Sequence, residues 1–162
     1  MVSGNFTSEN ISTIPPARLW KAIIRDAHNV IPKAMPELIA SCEILEGDGG
    51  AGSIRQLTFT EAFKDFSYVK DRVDVIDDEK HVFKYTVIEG GLIGLKRLKS
   101  YSFEIHVEPT SDGGSLSKMT VEYESFDDSL LNDEEIGKIK GGIIGMVKSV
   151  EGFLQENPEA YA

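Results

Sequence analysis

Sulfur crosslinks are absent: the chain has one cysteine, Cys42, so no disulfide can form within it. A chain without crosslinks must be held by its core, and 162 residues suffice to bury one. A lone cysteine is ordinarily a small buried hydrophobe, and Cys42 is read that way. Long apolar runs are also missing, since nothing approaches the ~20 residues that cross a bilayer. The first ten residues are polar, without an apolar signal core, and Val2 stands where a myristoylation start needs glycine. A cytoplasmic protein away from membranes is expected. The sequons Asn5-Phe6-Thr7 and Asn10-Ile11-Ser12 are then chance matches. Positive charge is scarce, with 17 Lys and Arg against 27 Asp and Glu and a net charge of -10. Such a surface repels phosphate backbones and anionic lipid, so no nucleic-acid or membrane partner is expected. His28, His81 and His106 lack metal-ligand spacing, and no metal or cofactor is expected.

What is present reads as one domain over residues 1–162, without repeats or low-complexity linkers. Pro15-Pro16 opens a helical pattern in which Leu19, Trp20, Ile23, Ile24 and Ala27 share a face. Pro32 and Pro36 are expected to break the next segment into a short helix and a turn. From Ile39 the hydrophobic period changes to two. Strands are expected at 39–46, 53–60, 67–76, 82–89, 98–108 and 115–126. Between them lie the turn sequences Gly47-Asp48-Gly49-Gly50, Asp77-Asp78, Gly90-Gly91 and Asp112-Gly113-Gly114. Gaps this short make hairpins, hence an antiparallel meander.

The last segment returns to helical spacing. Ile136, Ile139, Ile143, Met146, Val150 and Phe153 form one apolar stripe. Asn132 and Glu135 have capping-box spacing, Asp133 to Glu135 suit the positive end of the helix dipole, and Pro158 marks the stop. A rod of about 24 residues, roughly 36 Å long, must lie across the sheet to cover its stripe. It carries Gly137, Gly141, Gly142, Gly145 and Gly152, each costing about 1 kcal/mol relative to alanine. Two readings stand: close packing against a neighbouring backbone, or a helix kept pliable and slim beside a cavity.

Alternation assigns faces. Arg55, Leu57 and Phe59 share one, as do Val69, Asp71, Val73 and Val75. Phe83, Tyr85 and Val87 share another. Tyr101, Phe103, Ile105 and Val107 oppose Ser102, Glu104, His106 and Glu108. Met119, Val121 and Tyr123 oppose Lys118, Thr120 and Glu122. The inner wall is thus aromatic and aliphatic, with Arg55 and Asp71 as its charged members. They pair with each other, or they face a wetted cavity in which they orient a ligand. Tyr85 adds a third polar tip and tilts the reading toward the cavity.

Several segments resemble the family of the major birch-pollen allergen, the class-ten intracellular pathogenesis-related proteins. Residues 46–52, Glu-Gly-Asp-Gly-Gly-Ala-Gly, are similar to its glycine loop. Residues 68–74, 85–91, 16–22 and 157–161 are similar to further signatures, in the right order over nearly the whole chain. The resemblance implies an α+β helix-grip, START-like fold: a seven-stranded curved antiparallel sheet wrapped around a long C-terminal helix, with two short helices in a V. Residues 4–14 would supply the seventh strand. It implies a monomeric, allergen-like, defence-related carrier of hydrophobic or amphipathic small molecules, among them flavonoids, cytokinins and other hormones, sterols and fatty acids. Carried over by position, the cavity falls on Ile23, Glu37, Ile39, Arg55, Phe59, Asp71, Phe83, Tyr85, Ile93 and Lys140. Phe83 replaces a tyrosine of some relatives. Leu57, Val69, Tyr101, Phe103 and Met119 join from the inward faces, and Ile136, Ile139, Ile143 and Met146 from the helix stripe, the last two as the floor.

Enzymatic alternatives within the same resemblance are weaker. A norcoclaurine-synthase-like condensation needs a lysine inside the pocket, but alternation puts Lys118 and Glu104 on polar faces, and residues 141–145 offer no acid. Ribonuclease-like cleavage would use Glu151, but the stretch 96–99 lacks a partner carboxylate. No catalytic residue is assigned. The abscisic-acid receptors of the superfamily carry gate and latch motifs that this chain lacks. The glycine loop does not continue into the Gly-Lys-Ser/Thr of a phosphate loop and is read as a rigid hairpin.

Overall fold

The computed structural model describes residues 2–162. The chain order is β1 (Ser3–Ser12), α1 (Pro16–Trp20), a π-helical turn (Lys21–Arg25), α2 (Ala27–Ala34), β2 (Ile39–Glu46), β3 (Ile54–Phe59), β4 (Tyr68–Asp77), β5 (Val82–Gly90), α3 (Gly91–Gly94), β6 (Leu98–Pro109), β7 (Ser115–Ser125) and α4 (Asp133–Glu156). The strands form one curved antiparallel sheet in the order β1-β7-β6-β5-β4-β3-β2. Hairpins join β2 through β7 in sequence, and β1 pairs with β7 along the far edge.

Local chemistry explains the joints. Pro16 occupies the first turn of α1, where its missing N–H costs nothing. The π-helical turn, closed by Asp26 N–H donating to Lys21 O at 2.9 Å, lets the consecutive residues Ala22, Ile23 and Ile24 all be buried. Pro32 does not break the helix as expected but sits inside α2. Its own N–H would have met His28 O, on a partly exposed face where water can substitute. The helix ends instead at Met35, which Pro36 holds out of the helical region. Asn132 and Glu135 close the capping box of α4, with N–H donations of 2.8 and 3.0 Å. Arg97 grips Glu135 at 2.6 Å and so fixes that end of α4 to the start of β6. At the other end, Arg18 donates to the carbonyls of Leu154, Asn157 and Ala160 at 2.8–2.9 Å. This ties α1 to the last turn of α4.

Bulges decide which side chains face inward. Val73 pairs with Tyr85 and Val75 with Lys84, so Asp74 is an extra residue in β4. The extra residue reverses the alternation. Val75, expected inside with Val73, is therefore exposed, and Ile76 opposite Phe83 takes the inward position. A second bulge at Ile88 turns Glu89 outward in the same way. The core joins Leu19, Trp20, Val30, Val73, Leu98, Val107, Val121, Val150 and Leu154, all almost fully buried. Each such side chain contributes about 1.5–3 kcal/mol.

Candidate functional site

The concave side of β3, β4, β5 and β6 carries a continuous wall of rings around one ion pair. Register places Arg55 opposite Asp71, Val73 opposite Tyr85, and Tyr85 opposite Phe103. Arg55 Nε donates to Asp71 Oδ1 at 2.9 Å and Nη2 to Oδ2 at 3.0 Å, a two-pronged pairing. The guanidinium lies over Phe83 at 4.9 Å and Tyr85 at 5.3 Å from the ring centroids. Tyr85 stacks on Phe103 at 5.0 Å and 14°, and Tyr101 meets Phe103 edge-on at 5.6 Å. Of the two readings of Arg55 and Asp71, the pairing is therefore present, and it sits within the ring wall.

Burial governs the ionisation of this wall. It pushes the Asp71 carboxyl above the usual carboxylate range, with Arg55 pulling it back. On Arg55 burial opposes the charge, but Asp71 more than offsets it and the guanidinium stays protonated. Burial, then the Asp71 charge, pushes the Tyr85 phenol above its ordinary value. Burial takes Tyr101 to about 12 and the Cys42 thiol to about 11. At neutral pH the wall thus presents neutral hydroxyls, a neutral thiol and an ion pair whose charges cancel. The Tyr101 hydroxyl also accepts from Leu92 N–H at 3.2 Å, anchoring α3 across the end of the wall.

Most sequence-derived positions converge here. Leu57 and Val69 are register partners, as are Ile39 and Phe59, and Ile105 and Met119. Ile23, Ile39, Phe83, Tyr101, Phe103 and Met119 are buried. Ile93, on α3, is half-buried and packs against the core, as do Ile136, Ile139, Ile143 and Met146 on α4. Lys140 points toward β1, with Nζ 5.8 Å from the Phe6 ring centroid. Glu37 does not join the wall: it is exposed in the turn before β2, where its carbonyl accepts from the Thr60 hydroxyl. Cys42 and Ile44 are the members that sequence reasoning missed. They pair with Leu57 and Arg55, because an extra residue at Ala40 shifts the alternation of β2 by one.

The helix covers this wall unevenly. The main backbone approaches of α4 are to α2, the π-helical turn and β1, with none of similar extent to β3, β4, β5 or β6. Its C-terminal half buries Val147, Val150 and Leu154, whereas Ile136, Ile139, Ile143 and Met146 keep accessible area. Tyr85 and Arg55 also keep accessible area although burial dominates their electrostatics. The helix glycines do not mark a close backbone approach: a methyl at Gly137, Gly141, Gly142, Gly145 or Gly152 would meet nothing within 4 Å. Two open concavities of about 410 Å³ each lie elsewhere. One is on the outer, polar face of the sheet between Ser3 and Glu124, and the other is on the β3–β4 loop.

Other sequence features resolve into structure. Lys118 is exposed on the outer face, 3.3 Å from Glu108, and Glu104 is exposed too. In the glycine loop, Gly49 N–H donates to Ser53 Oγ and Gly50 N–H to Asp48 Oδ1, both at 2.9 Å. Gly47, Gly49 and Gly52 hold φ near +90°, which the tight turn needs. The N–H groups of Gly49 and Gly50 are thus already engaged by the loop itself. Among the described residues, no group of three or more His, Cys, Asp or Glu is placed to hold a metal ion, and no helix is long and apolar enough to cross a membrane.

Comparison with known proteins adds an independent line. Residues 1–157 match the sequence model of the pathogenesis-related protein Bet v 1 family. The chain is 40% identical over 157 residues to the major pollen allergen Bet v 1-M/N of Betula pendula, covering 97% of each. It superposes on the crystal structure of Ara h 8.0201 with a TM-score of 0.83 at 34% identity, covering 96% of this chain and 99% of that one. Norcoclaurine synthase of Thalictrum flavum, solved with dopamine and hydroxybenzaldehyde, aligns with a TM-score of 0.74 at 22% identity, over 96% of this chain and 88% of that one. At that identity the likeness extends to the fold alone.

Proposed function

This chain belongs to the pathogenesis-related protein Bet v 1 family, and from that premise we propose that it is a monomeric, cytoplasmic, defence-related carrier of amphipathic small molecules. The ligand lies between the ring wall of β3 to β6 and the N-terminal half of α4. The observation that carries this reading is the wall itself: stacked rings around the internally neutralised Arg55–Asp71 pair, with deep groups that still keep accessible area. Rings supply area, while Tyr85 and the free guanidinium N–H groups supply orientation. A wall without net charge selects neutral amphipathic molecules over anions. Flavonoids, cytokinins and other hormones, sterols and fatty acids are the classes to screen, with charged fatty acids expected to bind more weakly than neutral planar molecules.

A condensing enzyme would need a lysine within the chamber, and Lys118 lies outside it, paired with Glu108. The carrier reading is tested by titrating an apolar fluorescent probe into the folded protein and displacing it with candidate ligands. Micromolar affinity corresponds to about 8 kcal/mol. Burying roughly 300 Å² of apolar ligand area supplies a gross term of that size, before ordering costs. Saturable binding with displacement supports the carrier; absence of any probe binding by folded protein overturns it.

A further inference from the structure

Beside the ring wall, on β1 and β7, the inner face of the sheet changes character. The inward positions of β1 after Phe6 are Ser8, Asn10 and Ser12, and those of β7 before Met119 are Ser115 and Ser117. Register sets Ser12 opposite Ser115, Asn10 opposite Ser117 and Ser8 opposite Met119. Short polar side chains thus stand where apolar ones normally fill the layer between a sheet and its helices. Asn10 is only 7% exposed, yet its Nδ2 has no hydrogen-bond partner in the chain. The Ser8 Oγ is likewise cut off from solvent and unpartnered. Buried polar groups are seldom left in this state, because nothing then offsets their desolvation.

The buried side chains of the covering helices supply no partner. α4 packs on β1 and α1 on β7. The buried residues they bring are Val147, Val150 and Leu154 from α4, and Leu19 and Trp20 from α1. The four aliphatic side chains cannot hydrogen-bond, and the Trp20 Nε1–H is taken by Asp78 at 2.7 Å. Further along β1, the Ser12 hydroxyl already accepts from Ile14 N–H at 3.0 Å. We propose that Ser8, Asn10 and Ser117 form a binding site for one ordered internal water, which fastens the inner face of the edge strand β1 to β7.

The occupant follows from the lining. Ser8 and Asn10 are successive residues on one face of a strand, about 7 Å apart. Their polar atoms do not bond each other, and the span suits one small molecule that bonds to both. Ser117 stands across from Asn10, where Cβ atoms are about 4.5–5.5 Å apart, and supplies a third partner. Three is the usual number of partners for a buried water. The Asn10 amide N–H needs an acceptor, which excludes an ammonium group or a metal ion. None of the three residues is charged, so an anion would be buried unpaired. A water accepts from the amide and donates to both hydroxyl oxygens. Ser115 lies outside the site: it faces only Ser12, whose hydroxyl is already engaged, so a water there would lack partners.

The test compares the full chain with the variant Asn10→Leu, or Asn10→Val if leucine prevents folding. A high-resolution crystal structure of the parent should show one density peak within about 3.2 Å of Asn10 Nδ2, Ser8 Oγ and Ser117 Oγ. The variant should lose that peak. In solution, oxygen-17 relaxation dispersion counts long-lived internal waters without interference from hydroxyl protons. Its amplitude should fall in the variant by the equivalent of one water. A parent structure with no peak in reach of Asn10 Nδ2 would overturn the proposal, whatever the variant does. So would a peak that persists in the variant, or a dispersion amplitude equal in both proteins.

Discussion

Replacing Gly141, Gly142 and Gly145 of α4 by alanine, singly and together, should stabilise the protein. All three have helical backbone and open space where the methyl would go, with nothing within 4 Å. The gain therefore comes without a clash. Alanine is favoured over glycine by about 0.4–1 kcal/mol at such positions, chiefly because the unfolded chain loses freedom. For a domain of this size 1 kcal/mol raises Tm by roughly 2–4 °C, so each single change should add about 1–4 °C. The triple change should approach the sum, less some coupling between Gly141 and Gly145, one turn apart. If the glycines keep the floor of the chamber adaptable, the stiffened helix should also accept a narrower range of ligand shapes. Calorimetric melts and probe titrations on the same samples read both effects. A fall in Tm in any single variant would refute the open-space reasoning. A more stable triple variant with every ligand affinity unchanged would show that helix adaptability does not set ligand range.

Asp71→Asn should destabilise by about 3–5 kcal/mol in urea unfolding, because it strands the Arg55 guanidinium among rings. Arg55→Met combined with Asp71→Leu should recover most of that loss, and a double variant no better than Asp71→Asn would contradict the desolvation argument. Asp78 should contribute to acid sensitivity. Its bonds from Arg25 and Trp20 lower its carboxyl to about 2, against about 3.9 when unfolded. That contribution is complete above pH ~4 and is lost as pH falls toward ~2, and it is small because the side chain is more than half exposed. Asp78→Asn should flatten the stability profile in that window and leave its neutral side unchanged in slope. Ser115→Ala should be neutral or stabilising by up to ~1 kcal/mol, since the buried Ser115 hydroxyl has no hydrogen-bond partner; a loss above that, seen by urea titration, would reveal a partner such as a buried water.

The fold was legible where pattern and punctuation agree. β2 spans Ile39–Glu46 as expected, because Pro36 and the glycine loop bracket it. α4 runs between a capping box and Pro158, both readable as text. The seventh strand came from resemblance alone: β1 alternates, but its inward positions include the polar Ser8, Asn10 and Ser12, which carry no hydrophobic period. Most of the wall was legible because β3, β5, β6 and β7 keep strict alternation over the segments that build it. The errors sit at bulges. The extra residue at Asp74 sent Val75 outward, and the one at Ala40 brought Cys42 inward, and a bulge has no signature in a single sequence. Pro32 misled because the penalty of a proline depends on whether the orphaned carbonyl can reach water, which only the tertiary structure decides.

Ligands are proposed to lie between the ring wall and α4. Isotope-filtered NMR on the protein saturated with a neutral apolar ligand tests it most directly. Contacts are expected from the ligand to Phe83, Tyr85 and Phe103 on the sheet and to Ile143 and Met146 on the helix, all from one bound pose. Contacts confined to the outer face of the sheet or to the β3–β4 loop, with those five side chains silent, would contradict it.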